Sequence, residues 1–479
     1  MECVISQIGR ANMSRQAAID RAARHFDEGI FLADLARRVA IPTESQVFEQ
    51  RREAMDAYLA ELHETLEAMS YSCEVLANPS PLAGSFMVAE RSEGGDLPTV
   101  LTYGHGDVTH GQKGEWDEDR DPWLLTVEGD RIYGRGVADN KGQHSINLAA
   151  LRCCIEERGA LGFNSKILIE MGEECGSPGL RDFARVNRDR LAADVLIASD
   201  GPRLRPKHPT LYMGTRGLHT FDVSVDLREG GHHSGNWGGL ISSASVILVN
   251  ALATVIDRRG QIRVPELRPD TSLTDSVRAA LDGLEVDGGE DGPDVETDWG
   301  EESLTPAERV FAWNSFEIVA MTAGDPERPQ NAVPPRASAR CQLRTVVGTD
   351  SADIVPALER HFAREGFSQV TVSPAGRGEM RATRLDPGHP LVQWAAASLT
   401  ETTGKKTDVI PNLGGSLPND VFTEIIGMPT LWVPHSYASC SQHAPNEHAL
   451  KPILREGLCV MTGLFWGVGE GEMPVTIDR

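Results

Sequence analysis

Between Val100 and Ser199, short apolar runs alternate with longer amphipathic ones. Segments 100–103, 166–171 and 195–199 read as strands, while 140–157 and 180–188 read as helices. Strands separated by whole helices cannot be hairpin partners. Each connection is long enough to cross over, which builds a mostly parallel sheet covered by helices. Upstream, apolar residues spaced by three or four (Ile19, Ala22, Phe26, Ile30, Leu35) predict a helix over 15–38, and a second covers 46–69. The alternation stops after Thr215. Phe221, Val223 and Val225 then alternate with polar residues, as in a sheet with one wet face. A helix at 242–257, strands at 317–321 and 337–345, a helix at 352–365 and a strand at 369–372 complete a β-α-β-β-α-β-like unit. From His389 the first pattern resumes, with a helix at 391–402, a strand at 430–433 and a helix at 451–466. The expected fold is α/β. A domain made of residues 1–215 and 387–479 carries the mostly parallel sheet, and a smaller α+β domain of residues 216–386 interrupts it.

A chain of 479 residues, 40% hydrophobic and 24% charged, suits a globular protein with more than one core. Its 70 acidic residues exceed its 46 basic ones, giving a formal charge of −24. That balance argues against nucleic acid and anionic membranes as partners, because both need a positive face. No apolar run of about 18 residues is present to span a bilayer. Residues 1–13 read as a loose leader without the apolar core of a signal peptide, and Met13 is a candidate start. The eight cysteines are scattered, with no C-x-x-C spacing, so reduced thiols and a cytoplasmic location are expected. The acidic, Gly-rich stretch 282–302 reads as a solvated surface loop.

Polar clusters stand at the ends of expected strands, where open α/β sheets place ligands. They are GHGD (104–107), VADNKG (137–142), GEECGS (172–177), SDG (199–201) and QHAPNE (442–447). Singly, each has an ordinary explanation as a structural histidine, a solvated Glu pair or an Asp-Gly turn. Together they bring two imidazoles and several carboxylates to one sheet without a thiolate. Such donors suit Zn²⁺, Mn²⁺ or Co²⁺.

With HSGNWGG (233–239) and GGSLP (414–418) added, these segments resemble the dinuclear metallopeptidases that include aminoacylase, acetylornithine deacetylase, glutamate carboxypeptidase and carnosinase. The similarity runs from about residue 38 to 467 and is nearest to the carnosinase-like dipeptidase branch. It implies a catalytic domain interrupted by a lid that also forms the interface of a homodimer. It further implies that His105 and Asp200 bind one metal, Glu174 and His443 the other, and that Asp139 bridges them. Asp107 then orients the His105 ring, and Glu173 is the general base. Two cations sharing a water lower its pKa towards ~7, which generates the attacking hydroxide at neutral pH. The resemblance also implies a cis peptide between Asp139 and Asn140. Thr215, Arg344, His389 and Ser416 match positions that hold substrate, with Arg344 suited to a carboxylate. His233 matches a histidine that stabilises the oxyanion of a neighbouring subunit, and its neighbour His232 has no matching role.

The expected activity is hydrolysis of dipeptides or similar short peptides with two divalent metal ions, most simply Zn²⁺. The alternative is removal of an N-acyl group from an amino acid, or cleavage of another small amide. Asp200 favours the former, since the resembling deacylases usually carry Glu there. A metal-free binding protein would need a ligand or the base replaced, and all are present.

Overall fold

The computed structural model describes residues 13–474, apart from 272, 287–291, 326 and the side chains of 376–379. The leader except Met13, and the centre of the acidic stretch, lie outside the described residues.

The first elements are helix α1 (Arg15–Asp27) and strands β1 (Ser72–Leu76), β2 (Phe86–Arg91) and β3 (Thr99–His105). Helix α2 (Lys141–Arg158) and strands β4 (Asn164–Glu170), β5 (Val195–Ala198) and β6 (Thr210–Tyr212) follow. The interrupting part contains β7 (Gly217–Asp226), α3 (Ala244–Val255), α4 (Asp275–Leu281), α5 (Pro306–Phe311), β8 (Ser315–Thr322), β9 (Arg336–Thr345), α6 (Ile354–Arg364) and β10 (Val370–Met380). The chain finishes with α7 (Pro390–Thr403), β11 (Asp408–Ile410), β12 (Thr430–Trp432) and α8 (Lys451–Gly469).

The large sheet has eight strands in the order β1-β2-β4-β3-β5-β12-β6-β11. Strands β4, β3, β5 and β12 run parallel at its centre, and β1 and β2 are antiparallel at one edge. The period of two decides which way each side chain faces. Ile167 and Ile169 of β4 join one hydrophobic cluster with α1, α2 and α8, while Leu168 joins the cluster on the other face. Val195 and Ile197 of β5 divide from Leu196 and Ala198 in the same way. Both faces are therefore dry, as the continuous apolar runs predict. The expected helix over 15–38 is broken in the structure at Gly29, whose φ of 80° leaves the right-handed helical region, and a second helix covers Ile30–Val39.

The smaller sheet is antiparallel throughout, in the order β8-β9-β7-β10, with α3 and α6 packed on its apolar face. This is the expected β-α-β-β-α-β unit. Helices α4 and α5 depart from it. Val277, Leu281, Ala307 and Phe311 pack with Phe183, Leu413 and Phe422 of the large domain instead. The acidic stretch between them is correspondingly less solvated than expected at its start, where Leu284 and Val286 lie against that cluster, and exposed over 293–299.

The outgoing and returning chains are tied where the two parts meet. Thr383 N–H donates to Thr215 O at 3.1 Å, and Leu385 N–H to Met213 O at 2.8 Å. The side-chain amide of Asn412 donates to the carbonyls of both Thr215 and Thr383. A Cβ at Gly214 would collide with the carbonyl of Thr383. Gly214→Ala is therefore expected to cost ~1–3 kcal/mol through forced separation of the two crossings. Gly95→Ala, with open space around the new methyl, should stay within ~0.5 kcal/mol. Thermal midpoints of the two variants check this.

Candidate metal centre and active site

The ligand candidates all stand where strands of the large sheet end or helices begin. His105 is the last residue of β3, Asp200 follows β5, and Asp139 precedes α2. Glu173 and Glu174 occupy a short 3₁₀ turn after β4, and His443 lies in the loop after β12. His105 Nε2 is 3.1 Å from Asp139 Oδ1 and 3.5 Å from Asp200 Oδ2. His443 Nε2 is 3.0 Å from Asp139 Oδ2 and 3.1 Å from Glu174 Oε2. Two groups that could hold a metal result, His105–Asp139–Asp200 and Asp139–Glu174–His443, and Asp139 belongs to both. The structure thus brings together every residue expected to be a ligand. The Asp139–Asn140 peptide is cis, as expected.

Electrostatics indicate what this cluster is suited to hold. Burial pushes the Glu173 carboxyl well above the usual range, and burial with the Asp139 charge lifts Glu174 to about 7. Asp200 is raised as well, mainly by burial. Hydrogen bonds to Asp139 and Glu174 push His443 up to about 11. Burial opposes a charge on His105, yet the neighbouring carboxylates of Asp107, Asp139 and Asp200 outweigh that and raise its pKa. Asp200 Oδ2 is buried without a hydrogen-bond partner. Buried carboxylates at this density call for positive charge. Imidazole nitrogen with carboxylate oxygen, and no thiolate in either group, fits a borderline or hard divalent cation.

Around the cluster, neighbouring groups fix the ligands' directions. His105 Nδ1 lies 3.1 Å from the main-chain oxygen of Asp107 and 3.4 Å from its carboxylate, so Asp107 orients the ring mainly through its carbonyl. The Asp107 carboxylate accepts the main-chain N–H groups of Glu173 and Glu174, each at 3.1 Å. It therefore also holds the turn that carries both glutamates. Sequence reasoning missed Glu447, although it ends the HAPNE segment. Its buried carboxylate accepts from Arg135 and from the main-chain N–H groups of Gly136, Ala138 and Asp139. Gln442, missed too, donates its side-chain amide to Asp139.

A cavity of about 590 Å³ opens over the cluster. Asp139, Glu173, Glu174, Asp200 and His443 are in its lining, and so are Arg344 and Ser416. Arg344 extends from β9, and its Nη1 donates to Ser416 Oγ at 2.9 Å. No described carboxylate pairs with its half-buried guanidinium, whose pKa burial lowers. The other expected substrate residues stand apart. Thr215 is buried outside the cavity lining, its hydroxyl 3.5 Å from the Leu417 carbonyl. His389 caps α7, accepting the Leu391 N–H on Nδ1 at 3.2 Å. His233 and His232 are exposed on the small domain and do not line the cavity of their own chain.

An interrupted α/β sheet that gathers carboxylates and imidazoles into two groups with one shared aspartate defines a metallohydrolase. The chain belongs to peptidase family M20/M25/M40, whose family model matches residues 101–466. It is 28% identical over 403 residues to the cysteinylglycine-S-conjugate dipeptidase of Corynebacterium striatum, covering 79% of this chain and 85% of that one. It is 27% identical over 470 residues to the human beta-Ala-His dipeptidase, covering 92% and 90%. The crystal structure of human carnosine dipeptidase 1 superposes with a TM-score of 0.75 at 24% identity, covering 95% of this chain and 99% of that one. That likeness establishes the fold.

Cation binding is expected to stabilise the fold measurably. Zn²⁺ or Mn²⁺ at a hundred times its Kd should add ~2.7 kcal/mol per occupied group to metal-stripped protein, and Glu174→Gln should remove most of the share due to the Asp139–Glu174–His443 group. In metal-free protein the raised Glu174 keeps its proton on folding. Its contribution is full below its unfolded value of 4.5 and is lost as pH rises to about 7. Over the same window cation binding displaces that proton and strengthens. Thermal scans across this pH range, with and without the cation, should show the wild type diverging from Glu174→Gln.

Proposed function

We propose that the chain is a dinuclear, zinc-type dipeptidase that works as a homodimer in the cytoplasm. One observation carries the reading. Two candidate ligand groups sharing Asp139, and Arg344, with which no described carboxylate pairs, line the same cavity. A short peptide offers a scissile carbonyl to the first and a carboxylate to the second. The likeness to a cysteinylglycine-S-conjugate dipeptidase and a beta-Ala-His dipeptidase supports short peptides as substrates.

Divalent cations held by the two groups would supply Lewis acidity and ease deprotonation of a water at neutral pH. Glu173, which belongs to neither group, is placed to take a proton from the attacking water and return it to the leaving amine. Its backbone is pinned by Asp107, so the carboxylate stays beside Glu174 without competing for its place. Arg344 receives the substrate carboxylate as a planar fork, with Ser416 Oγ beside it. Thr215 and His389 act indirectly. The main chain of Thr215 bridges to Leu413, next to the loop bearing Ser416, and His389 fixes the start of α7.

The surface of the small domain supports self-association. Ile318, Val319 and Met321 on the edge strand β8 are exposed, as are Val246 and Val249 on α3. Trp237 and Leu240 are exposed in the segment that bears His233. An uncovered apolar edge of this kind suits an isologous interface. Such a dimer lets His233 reach a second subunit's cavity and donate to the developing oxyanion. Among the described residues, Cys73, Cys153, Cys154, Cys341, Cys440 and Cys459 are free thiols, which supports a reducing compartment. No described helix is long and apolar enough to cross a membrane.

Substrate class is tested by comparing kcat/KM for free dipeptides with that for N-acetyl amino acids. Dipeptides are expected to be cleaved better, and equal or better rates on the acetylated series would make the protein a deacylase. Glu173→Gln should keep the cation-dependent stabilisation yet lose ~10²–10⁴-fold in kcat.

The role of His233 has its own test. Alone, His233→Ala should retain metal and lose ~10²–10³-fold in kcat, as expected for removing one oxyanion donor. Mixed with inactive Glu173→Gln protein under subunit exchange, it should regain part of the activity, because one site of each heterodimer then has both groups. Absence of recovery in proven heterodimers would remove His233 from the neighbour's site.

A further inference from the structure

Part of the cavity wall is apolar, and glycines that abut it locate two of its residues, Leu413 and Phe311. Gly201 follows the ligand Asp200, and a Cβ placed on it would lie 3.0 Å from Leu413 Cδ1. A Cβ on Gly415 would lie 3.9 Å from Leu413 Cδ2, and one on Gly414 would lie 3.9 Å from Phe311 Cε1. Leu413 thus spans from the Asp200 turn to the loop that holds Ser416, and the Phe311 ring stands against that loop. Leu218 and Leu417 extend the same surface. The charged groups of the lining are the metal cluster with Glu173, Arg344, and Arg203. Arg203 is consumed by Glu456, at 2.7 Å, and is buried. Among the described lining residues, none is left to pair with a charged substrate side chain along this wall.

A dipeptide whose carbonyl lies at the ligand cluster and whose carboxylate lies at Arg344 places its C-terminal residue between them. We propose that Phe311 and Leu413 form a subsite for that residue's side chain and select large apolar ones. The inference rests on the dipeptidase reading and adds to it the class of C-terminal residue. Phe311 is supplied by α5, the helix of the interrupting part that packs onto the large domain. Selectivity is therefore set by the segment that folds back, whereas the metal ligands come from the sheet. Each methylene that such a pocket recognises is worth ~10–200-fold in kcat/KM.

The test uses the full-length, cation-loaded protein and the dipeptides Ala-Leu, Ala-Gly, Ala-Asp, Ala-Lys and Leu-Gly. Ala-Leu should exceed Ala-Gly by at least ~10-fold in kcat/KM, with Ala-Asp and Ala-Lys the poorest. Leu-Gly should resemble Ala-Gly, because the preference belongs to the C-terminal residue. Phe311→Ala should shrink the Ala-Leu to Ala-Gly ratio at least ~10-fold, chiefly through KM, and Phe311→Leu should restore most of it. The wild-type ratios decide the matter even where a variant folds poorly. Equal turnover of Ala-Leu and Ala-Asp, a preference that follows the N-terminal residue, or an unchanged ratio in folded Phe311→Ala would each overturn the subsite while leaving a dipeptidase. No turnover of any dipeptide by protein shown to bind its cation would overturn the dipeptidase reading itself.

Discussion

Asp139 is the side chain on which the site depends, since its two oxygens face His105 at 3.1 Å and His443 at 3.0 Å. A carboxylate buried between two imidazoles and beside Glu174 and Asp200 is held in place by more than the pairings it makes. Its own N–H points at Glu447, which also collects the N–H groups of Gly136 and Ala138. Glu447 is four residues beyond His443, so one carboxylate joins the backbone of Asp139 to the loop that bears His443. The next residue continues the linkage. Asn140 donates to the carbonyl of Ser199, directly before Asp200, and its side-chain oxygen meets His144 of α2 at 3.0 Å. Loops arriving from three parts of the sheet are thereby registered to one another through main-chain groups. Direct ligation at a metal typically depends on such outer contacts.

This arrangement explains which parts of the molecule were legible in the sequence. The central strands were, because burial on both faces forces continuous apolar runs, and the helices between them show their period plainly. The residues that gather into the two candidate metal groups were legible because such chemistry demands specific side chains at strand ends, in an order that a family resemblance could read. The backbone contacts of Glu447 and Asp107 were not. Any carboxylate near a loop could accept such bonds, and only the folded path shows which one does. Edge strands β1 and β11 escaped for a different reason. Ser72–Leu76 has little burial, and Asp408–Ile410 is only three residues long, so neither displays a usable period. Thr215 and His389 illustrate the limit from the other side. Each matches a substrate position by motif, yet the packing turns one into the buried core and the other onto a helix end.

The same limit applies to the interrupting part. Its sheet follows the expected pattern, because alternation along β7 and β9 is clear. Helices α4 and α5, of seven and six residues, are too short to reveal by periodicity which core they join. Their apolar residues could have faced the small sheet. They face Phe183 and Phe422 instead, and in doing so they place Phe311 against the Ser416 loop.

The two polar ends of the cavity consequently come from different parts of the chain. The ligand residues belong to the large sheet and its loops, while Arg344 stands on β9 of the small one. What fixes the span between them is the way the two parts are joined. The crossings at Thr215 and Thr383 are hydrogen-bonded to each other, and both carbonyls are held by Asn412, next to Leu413. A third tie, Arg344 to Ser416, closes the far side of the cavity. The join, the bond to Ser416 and the wall at Leu413 and Phe311 all bear on one loop, so under the proposed roles the carboxylate anchor and the side-chain wall would share a single support.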